Sequence, residues 1–207
     1  MITLYIVRHG ETEWNIENKL QGWADSSLTS KGIQHSLLLQ KRLEPIHFSH
    51  IYSSPSGRAI HTANLIKGFQ NTEVKPVEHL KEMNLGSWEG KTHDEIKVLE
   101  PVRYDHFWNS PHRFVEDNGE SFDDLKTRVK QFLNFITSEH KDGNLLIVTH
   151  TVFIKMLLAY VKNLPLSELW RPPYIKDTSL TILDYQNGHF TIRLEADTEH
   201  LLTENIL

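Results

Sequence analysis

Apolar residues along the chain fall into two patterns. Short continuous runs bounded by polar or turn residues occur at Thr3-Leu4-Tyr5-Ile6-Val7, Ile51-Tyr52-Ser53 and Leu145-Leu146-Ile147-Val148, with another over residues 72–77. Runs of this length read as strands, and the longer two as strands covered on both faces. Between them the period lengthens to that of a helix. Residues 30–44 place Ile33, Leu37, Leu38 and Leu43 on one side and stop at Pro45. Residues 56–68 start at Ser56, a residue type that caps helices, and end at Gly68. Residues 120–139 are the clearest case, with Phe122, Leu125, Val129, Phe132, Leu133 and Ile136 at helical spacing. A further helix is expected over residues 152–161. Residues 180–185 and 190–194 form a hairpin about Asn187-Gly188.

Strands alternating with helices imply an α/β fold with a mostly parallel sheet covered on both faces and a hairpin at the C-terminal end. Two stretches interrupt the pattern. Residues 11–28 are polar and aperiodic and read as a loop, and loops of that length in a compact domain are commonly functional. Residues 80–118 are irregular, contain Pro101 and Pro111, and concentrate Tyr104, Phe107, Trp108 and Phe114. We read them as an insertion that folds over the site. A second irregular piece surrounds Pro165 and Pro172-Pro173, and the last dozen residues, being polar, are expected to be partly disordered. With 207 residues and no repeat or linker, one domain over residues 1–207 is expected.

Composition narrows the function. Apolar residues at 39% and charged residues at 24% fit a soluble globular protein, and no apolar run is long enough to cross a bilayer. Met1 leads directly into a strand, without a basic stretch ahead of an apolar one. The absence of cysteine rules out disulfides and thiol chemistry and fits the cytoplasm. A net charge of −5 argues against nucleic-acid and membrane partners, yet leaves room for a small cationic pocket. Thirteen histidines raise the question of a metal. There is no His-Glu-x-x-His and no compact ligand cluster, and the nearest pair, His47 and His50, reads as solvated or capping. Neither metal nor cofactor is expected.

The candidate chemistry lies at the ends of two strands. Val7 is followed by Arg8-His9-Gly10, and Val148-Thr149 by His150. Titratable groups at the end of a buried strand carry a desolvation cost unless something uses them. In open α/β sheets ligands bind at the C-terminal ends of strands. If the two strands are neighbours, their imidazoles face each other.

Four ordered blocks turn this pattern into a resemblance. They are Arg8-His9-Gly10-Glu11-Thr12 with Trp14-Asn15; Ser53-Ser54-Pro55 leading to Arg58-Ala59 and Thr62-Ala63; Glu82 ahead of Gly86-Ser87-Trp88-Glu89-Gly90; and Val148-Thr149-His150. From residue 2 to about 190 the chain resembles the histidine phosphatase superfamily, the phosphoglycerate mutase-like proteins. The resemblance implies a three-layer α/β/α sandwich and assigns roles. His9 is the expected nucleophile, taking the phosphoryl group on a ring nitrogen. Arg8 and Arg58 are expected to clamp phosphate oxygens, Asn15 to add a polar contact, and His150 to donate to a phosphoryl oxygen. Gly10 allows the backbone to turn sharply towards the ligand. Three carboxylates compete to be the acid that protonates the leaving oxygen: Glu11, Glu82 and Glu89. The family motif selects Glu82.

One position departs from the pattern, since Thr151 stands where many members have glycine. Threonine there is either strained by a positive φ or the N-cap of the next helix, and the cap is expected. The Tyr-Gly and Leu-Asn-Lys elements of cofactor-dependent mutases are absent after Glu82. The segment instead resembles the phosphatase branch, including broad-specificity and α-ribazole phosphatases, which share an element like Gly119-Glu120-Ser121. The expected activity is metal-independent hydrolysis of small-molecule phosphate monoesters through a phosphohistidine. The alternatives are a phosphoglycerate mutase, an α-ribazole phosphatase, and a non-catalytic protein that binds phosphorylated ligands.

Overall fold

Six strands form one sheet: β1 (Ile2–Arg8), β2 (His50–Ser53), β3 (Val74–Pro76), β4 (Gly143–Thr149), β5 (Leu180–Gln186) and β6 (His189–Asp197). The computed structural model describes residues 1–206, with side chains as far as residue 202. In space the strands run β3-β2-β4-β1-β5-β6. β1 to β4 are parallel, β5 joins β1 antiparallel, and β6 returns antiparallel along β5. The connecting helices are α1 (Glu13–Ile16), α2 (Ser30–Leu43), α3 (Gly57–Lys67), α4 (His93–Leu99), α5 (Pro101–Asn109), α6 (Phe122–Glu139) and α7 (Thr151–Val161).

β1 and β4 are central because their apolar runs need cover on both faces. Leu4, Ile6, Leu145 and Ile147 pack with Leu125, Val129 and Phe132 of α6 and Phe153 and Leu157 of α7. Tyr5, Val7, Leu146 and Val148 face the other way, against Leu39 and Leu43 of α2 and Ala59, Ala63 and Ile66 of α3. The result is the expected α/β/α sandwich. Each large side chain buried this way contributes roughly 1.5–3 kcal/mol. α6 starts at a capping box between Ser121 and Asp124 and buries the face that its period indicated. The hairpin turns on Asn187 (φ 53°) and Gly188 (φ 84°), the left-handed pair that a two-residue turn requires.

α2 turns a different face inward from the one its leucines suggested. Its buried residues are Gly32, His35, Ser36, Leu39 and Leu43, while Leu37 is 47% exposed. The cause is the loop after β1, which lies directly on the helix. A Cβ at Gly32 would lie 2.1 Å from the Glu11 carbonyl oxygen, and one at Gly10 2.7 Å from the Gly32 carbonyl oxygen. Gly10 has no positive φ, so close packing rather than a sharp turn excludes a side chain there. Gly32→Ala should therefore destabilise the fold by about 1–3 kcal/mol, read from the denaturation midpoint, and should lower activity by displacing the loop that follows His9.

Other boundaries shift for local reasons. The loop over residues 11–28 contains α1, closed by a capping box between Thr12 and Asn15. β3 is shorter than residues 72–77, because it pairs only with the short β2 at the sheet edge. Ser56 occupies the N-cap of α3, but its hydroxyl makes no capping bond. The last dozen residues carry regular structure as far as residue 206. β6 continues to Asp197 and a 3₁₀ helix spans Glu199–Ile206, with His200 buried; residue 207 lies outside the described residues. Residues 80–118 add aromatic residues to the core on the α6–α7 side of the sheet, where Trp88, Phe107 and Phe114 meet with ring centroids 5.1–5.6 Å apart. Among the described residues no helix is long and apolar enough to cross a membrane.

Candidate active site

The register of the sheet brings the two histidines together. Arg8 lies opposite Thr149 on adjacent parallel strands, so the next residue on each strand, His9 and His150, emerges at the same sheet end. The His9 N–H donates to the Thr149 carbonyl at 3.0 Å. The ring centroids are 5.2 Å apart, edge to face.

Each imidazole has a partner that sets its tautomer. His9 Nδ1 lies 2.8 Å from the Gly10 carbonyl. That oxygen can only accept, so Nδ1 carries the hydrogen and Nε2 keeps its lone pair. Burial, with Arg58 and Arg8 nearby, holds the His9 pKa well below 6.5. His150 shows the reverse tautomer. Its Nδ1 accepts from Arg58 Nη2 at 3.2 Å, so the hydrogen is on Nε2. Burial, Arg58 and His9 also push its pKa well below 6.5. One ring offers a lone pair, and the other an N–H.

Arg58, near the start of α3, is 2% exposed. Its Nη1 donates to the Ala24 carbonyl (2.7 Å) and to Asp25 Oδ1 (2.8 Å), and Nη2 donates to the Gly22 carbonyl (2.9 Å). The aperiodic loop therefore orients this guanidinium. Arg8 Nη1 donates to the Ile175 carbonyl at 2.8 Å. Among the described residues the buried Nε atoms of Arg8 and Arg58 have no hydrogen-bond partner, which suits a site made to receive an anion's oxygens. Asn15 is fixed by its Oδ1, which accepts from the Thr12 N–H and hydroxyl, leaving its amide N–H groups for a ligand.

Glu82 is buried at the N-terminus of α7. Its Oε1 accepts from the N–H groups of Met83 (2.9 Å) and Phe153 (3.2 Å), and Oε2 from that of Val152 (3.1 Å). Burial raises its pKa, while these bonds and Arg58 oppose the rise; the net direction is upward. The competing carboxylates are engaged elsewhere. Glu89 accepts from the backbone of Trp23, Ala24 and Leu85, and Glu11 pairs with Thr29 and Lys31.

Arg8, His9, Asn15, Arg58 and Glu82 line one cavity of about 250 Å³. His150 lines an adjoining cavity of about 230 Å³, which Glu82 shares, and reaches the first group through Arg58. Gly10 lies beneath, packed on α2. The outer wall of the first cavity brings in residues that sequence reasoning did not single out: Lys19, Gln21, His93 and Trp170, beside Trp108 and Thr151. No periodicity marks them, because they come from loops and the insertion. Thr151 is not the N-cap of α7. His150 holds that position with φ −131°, and Thr151 is the first helical residue, without positive φ. Its side chain is accommodated because it faces the cavity.

Comparison with known proteins identifies the family. The model of the "Histidine phosphatase superfamily (branch 1)" matches residues 4–198. Phosphoserine phosphatase 1 of Hydrogenobacter thermophilus is 32% identical over 170 residues, covering 82% of this chain and 81% of that protein. The probable phosphoglycerate mutase GpmB of Proteus mirabilis is 30% identical over 207 residues, covering 97% and 95%. The solved structure of Bacillus stearothermophilus YhfR superposes with a TM-score of 0.95 at 45% identity, covering 97% of this chain and all of that one. With nearly its whole length matched, the chain belongs to branch 1 of the histidine phosphatase superfamily and is an enzyme of that family.

Proposed function

We propose that the protein is a cytoplasmic, single-domain phosphatase of broad specificity that hydrolyses phosphate monoesters of small molecules through a phosphohistidine on His9. The observation that carries this reading is the hydrogen bond from His9 Nδ1 to the Gly10 carbonyl. It leaves Nε2 nucleophilic in a cavity shared with two arginines and a buried carboxyl group. In the first step His9 Nε2 bonds to phosphorus, the P–O bond to the leaving group breaks, and Glu82 gives its proton to the departing oxygen. In the second step Glu82, now a carboxylate, takes a proton from water as that water attacks the phosphohistidine. Inorganic phosphate leaves and His9 is restored. Arg8, Arg58 and the His150 Nε2–H stabilise the charge that spreads over the phosphoryl oxygens. The two arginine cations beside the imidazoles favour an anion at this end of the cavity, and the steps as written call on neither metal nor cofactor.

The similarity to a protein named as a mutase gives the competing reading its weight. Against it stand the missing mutase segment and the aromatic outer wall of Phe107, Trp108 and Trp170, which suits an apolar or aromatic leaving group better than a small dianionic acid. An α-ribazole ester would fit the same description. A protein that only bound phosphate would not need Glu82. Purified protein should hydrolyse p-nitrophenyl phosphate at an undiminished rate in EDTA. It should interconvert 3- and 2-phosphoglycerate only weakly when primed with the bisphosphate. Mutase turnover above the best hydrolysis rate would reverse the assignment, and no turnover on any monoester would leave a binding protein.

A further inference from the structure

The segment that leads into β5 grips the phosphate end of the site from behind. The Ile175 carbonyl accepts from Arg8 Nη1. The Thr178 N–H donates to the Arg8 carbonyl at 3.1 Å and approaches that of His9 at 3.4 Å, while the Arg8 N–H reaches the Ser179 carbonyl at 3.4 Å. Arg8 is thus held by its guanidinium and by both its backbone groups. The carbonyl of His9 touches the same segment.

Thr178 has an unfavourable conformation for its residue type. Its φ is +52°, in the left-handed region that β-branched side chains avoid and glycine or asparagine adopt with ease. What the threonine supplies is a hydroxyl. The side chain is completely buried, and Oγ1 lies 3.1 Å from Nε2 of His200. His200 comes from the 3₁₀ helix after β6 and is itself buried. Burial pushes its imidazole down to about 4, so the ring is neutral at neutral pH. The preceding residue, Asp177, is held in turn by His35 of α2, with Oδ2 and Nδ1 2.6 Å apart. A strained residue persists only where its surroundings over-determine it. Here two histidines from separate elements fix two consecutive residues of the segment that touches Arg8 and His9.

We infer that Thr178 and His200 are positioning residues for phosphoryl transfer: their hydrogen bond holds the left-handed turn whose N–H sets the backbone of Arg8 and His9. This rests on the reading of His9 as nucleophile and Arg8 as phosphate ligand. It makes the segment beyond β6 part of the reactive geometry. A misplacement of about 1 Å at a reacting group can cost on the order of 10²-fold, so loosening the turn should act on rate more than on ground-state binding.

The test compares the full-length wild type with His200→Ala, His200→Gln and Thr178→Gly, and with Ile136→Ala as a core truncation in α6 away from the site. Three quantities are measured: kcat and KM on p-nitrophenyl phosphate, affinity for orthovanadate by calorimetry, and melting temperature. His200→Ala and Thr178→Gly should each lose about 10-fold or more in kcat and in vanadate affinity, with KM changing much less. Thr178→Gly should do so with a smaller fall in melting temperature than His200→Ala, since relief of the left-handed strain offsets part of the lost hydrogen bond; it decides the matter if His200→Ala folds poorly. His200→Gln, whose longer amide reaches the place of the ring Nε2 and can still meet the Thr178 hydroxyl, should recover most of kcat. Ile136→Ala should melt earlier with kcat intact. If His200→Ala and Thr178→Gly keep kcat and vanadate affinity within about twofold of wild type, the pair only stabilises the fold and the inference fails. A wild type that binds vanadate but hydrolyses no monoester would overturn the phosphatase reading alone, because the vanadate comparison among variants would still decide this one.

Discussion

His9→Ala should lower kcat on every phosphate monoester by about 10⁴-fold or more, because the first covalent bond of the reaction has nowhere else to form. The substitution removes a side chain from the edge of the cavity, so the fold should survive and the melting temperature should change little. Rapid acid quench of wild-type protein with labelled substrate should give an adduct on His9 that is labile in acid and stable in base. Full activity in the alanine variant would end the phosphohistidine mechanism. The pKa of His9 adds a pH signature. Attack needs the neutral ring, and the ring stays neutral down to a pH well below 6.5. The acid limb of kcat/KM should therefore lie below the range of an ordinary histidine. Stability should respond with the same sign. As pH falls below 6.5, the unfolded chain binds protons that buried His9 and His150 refuse, so acid erodes the folded state.

Glu82→Gln should separate proton donation from phosphate binding. General acids contribute about 10²–10⁴-fold, and most when the leaving oxygen is strongly basic. Phosphoenzyme formation from an alkyl phosphate should therefore lose most of that factor. The same step on p-nitrophenyl phosphate should lose far less, since its phenolate leaves without a proton. Single-turnover measurement is needed, because the same carboxylate serves as base in dephosphorylation. Burial raises the pKa of Glu82, so the wild-type alkyl reaction should decline with rising pH as that proton is lost. The aryl reaction should decline much less. Equal losses on both substrates would mean that Glu82 only shapes or charges the pocket.

Those two residues were legible in the sequence for different reasons. His9 and His150 were visible because a buried strand running into a titratable group is a local contradiction, and β1 and β4 each lead directly into a histidine. Glu82 had no such mark; only its place before the Gly-Ser-Trp-Glu-Gly segment distinguished it from Glu11 and Glu89. In the structure both of the competing carboxylates are occupied in holding loops. The architecture was readable because central strands and amphipathic helices have clear periods. The inner face of α2 was not, because Gly32 and Ser36 are chosen by a loop pressed against the helix and not by a hydrophobic period. The orientation of Arg58 was equally hidden. Its carbonyl partners Gly22 and Ala24 lie 36 and 34 residues away in an aperiodic loop. Thr178 and His200 carried no signal at all, since one looks like an ordinary strand-leading threonine and the other belongs to a polar tail.

The position of β1 between β4 and β5 has a consequence for the order in which the protein is made. β1 leaves the ribosome long before either neighbour exists. At roughly 5–20 residues per second, its interval alone lasts on the order of ten seconds before β4 appears. Throughout that interval an apolar strand with both edges unpaired is a template for wrong partners, the kind of segment that chaperones cover. β2 and β3 can meet early, but each is too short to satisfy it. A nascent chain that stops short of β4 already contains His9 and every ligand of Arg58 except His150, yet has no surface on which to assemble them. Translation can therefore slow within α6 without releasing a partly active enzyme. Catalysis begins only once the chain has closed around its own first strand.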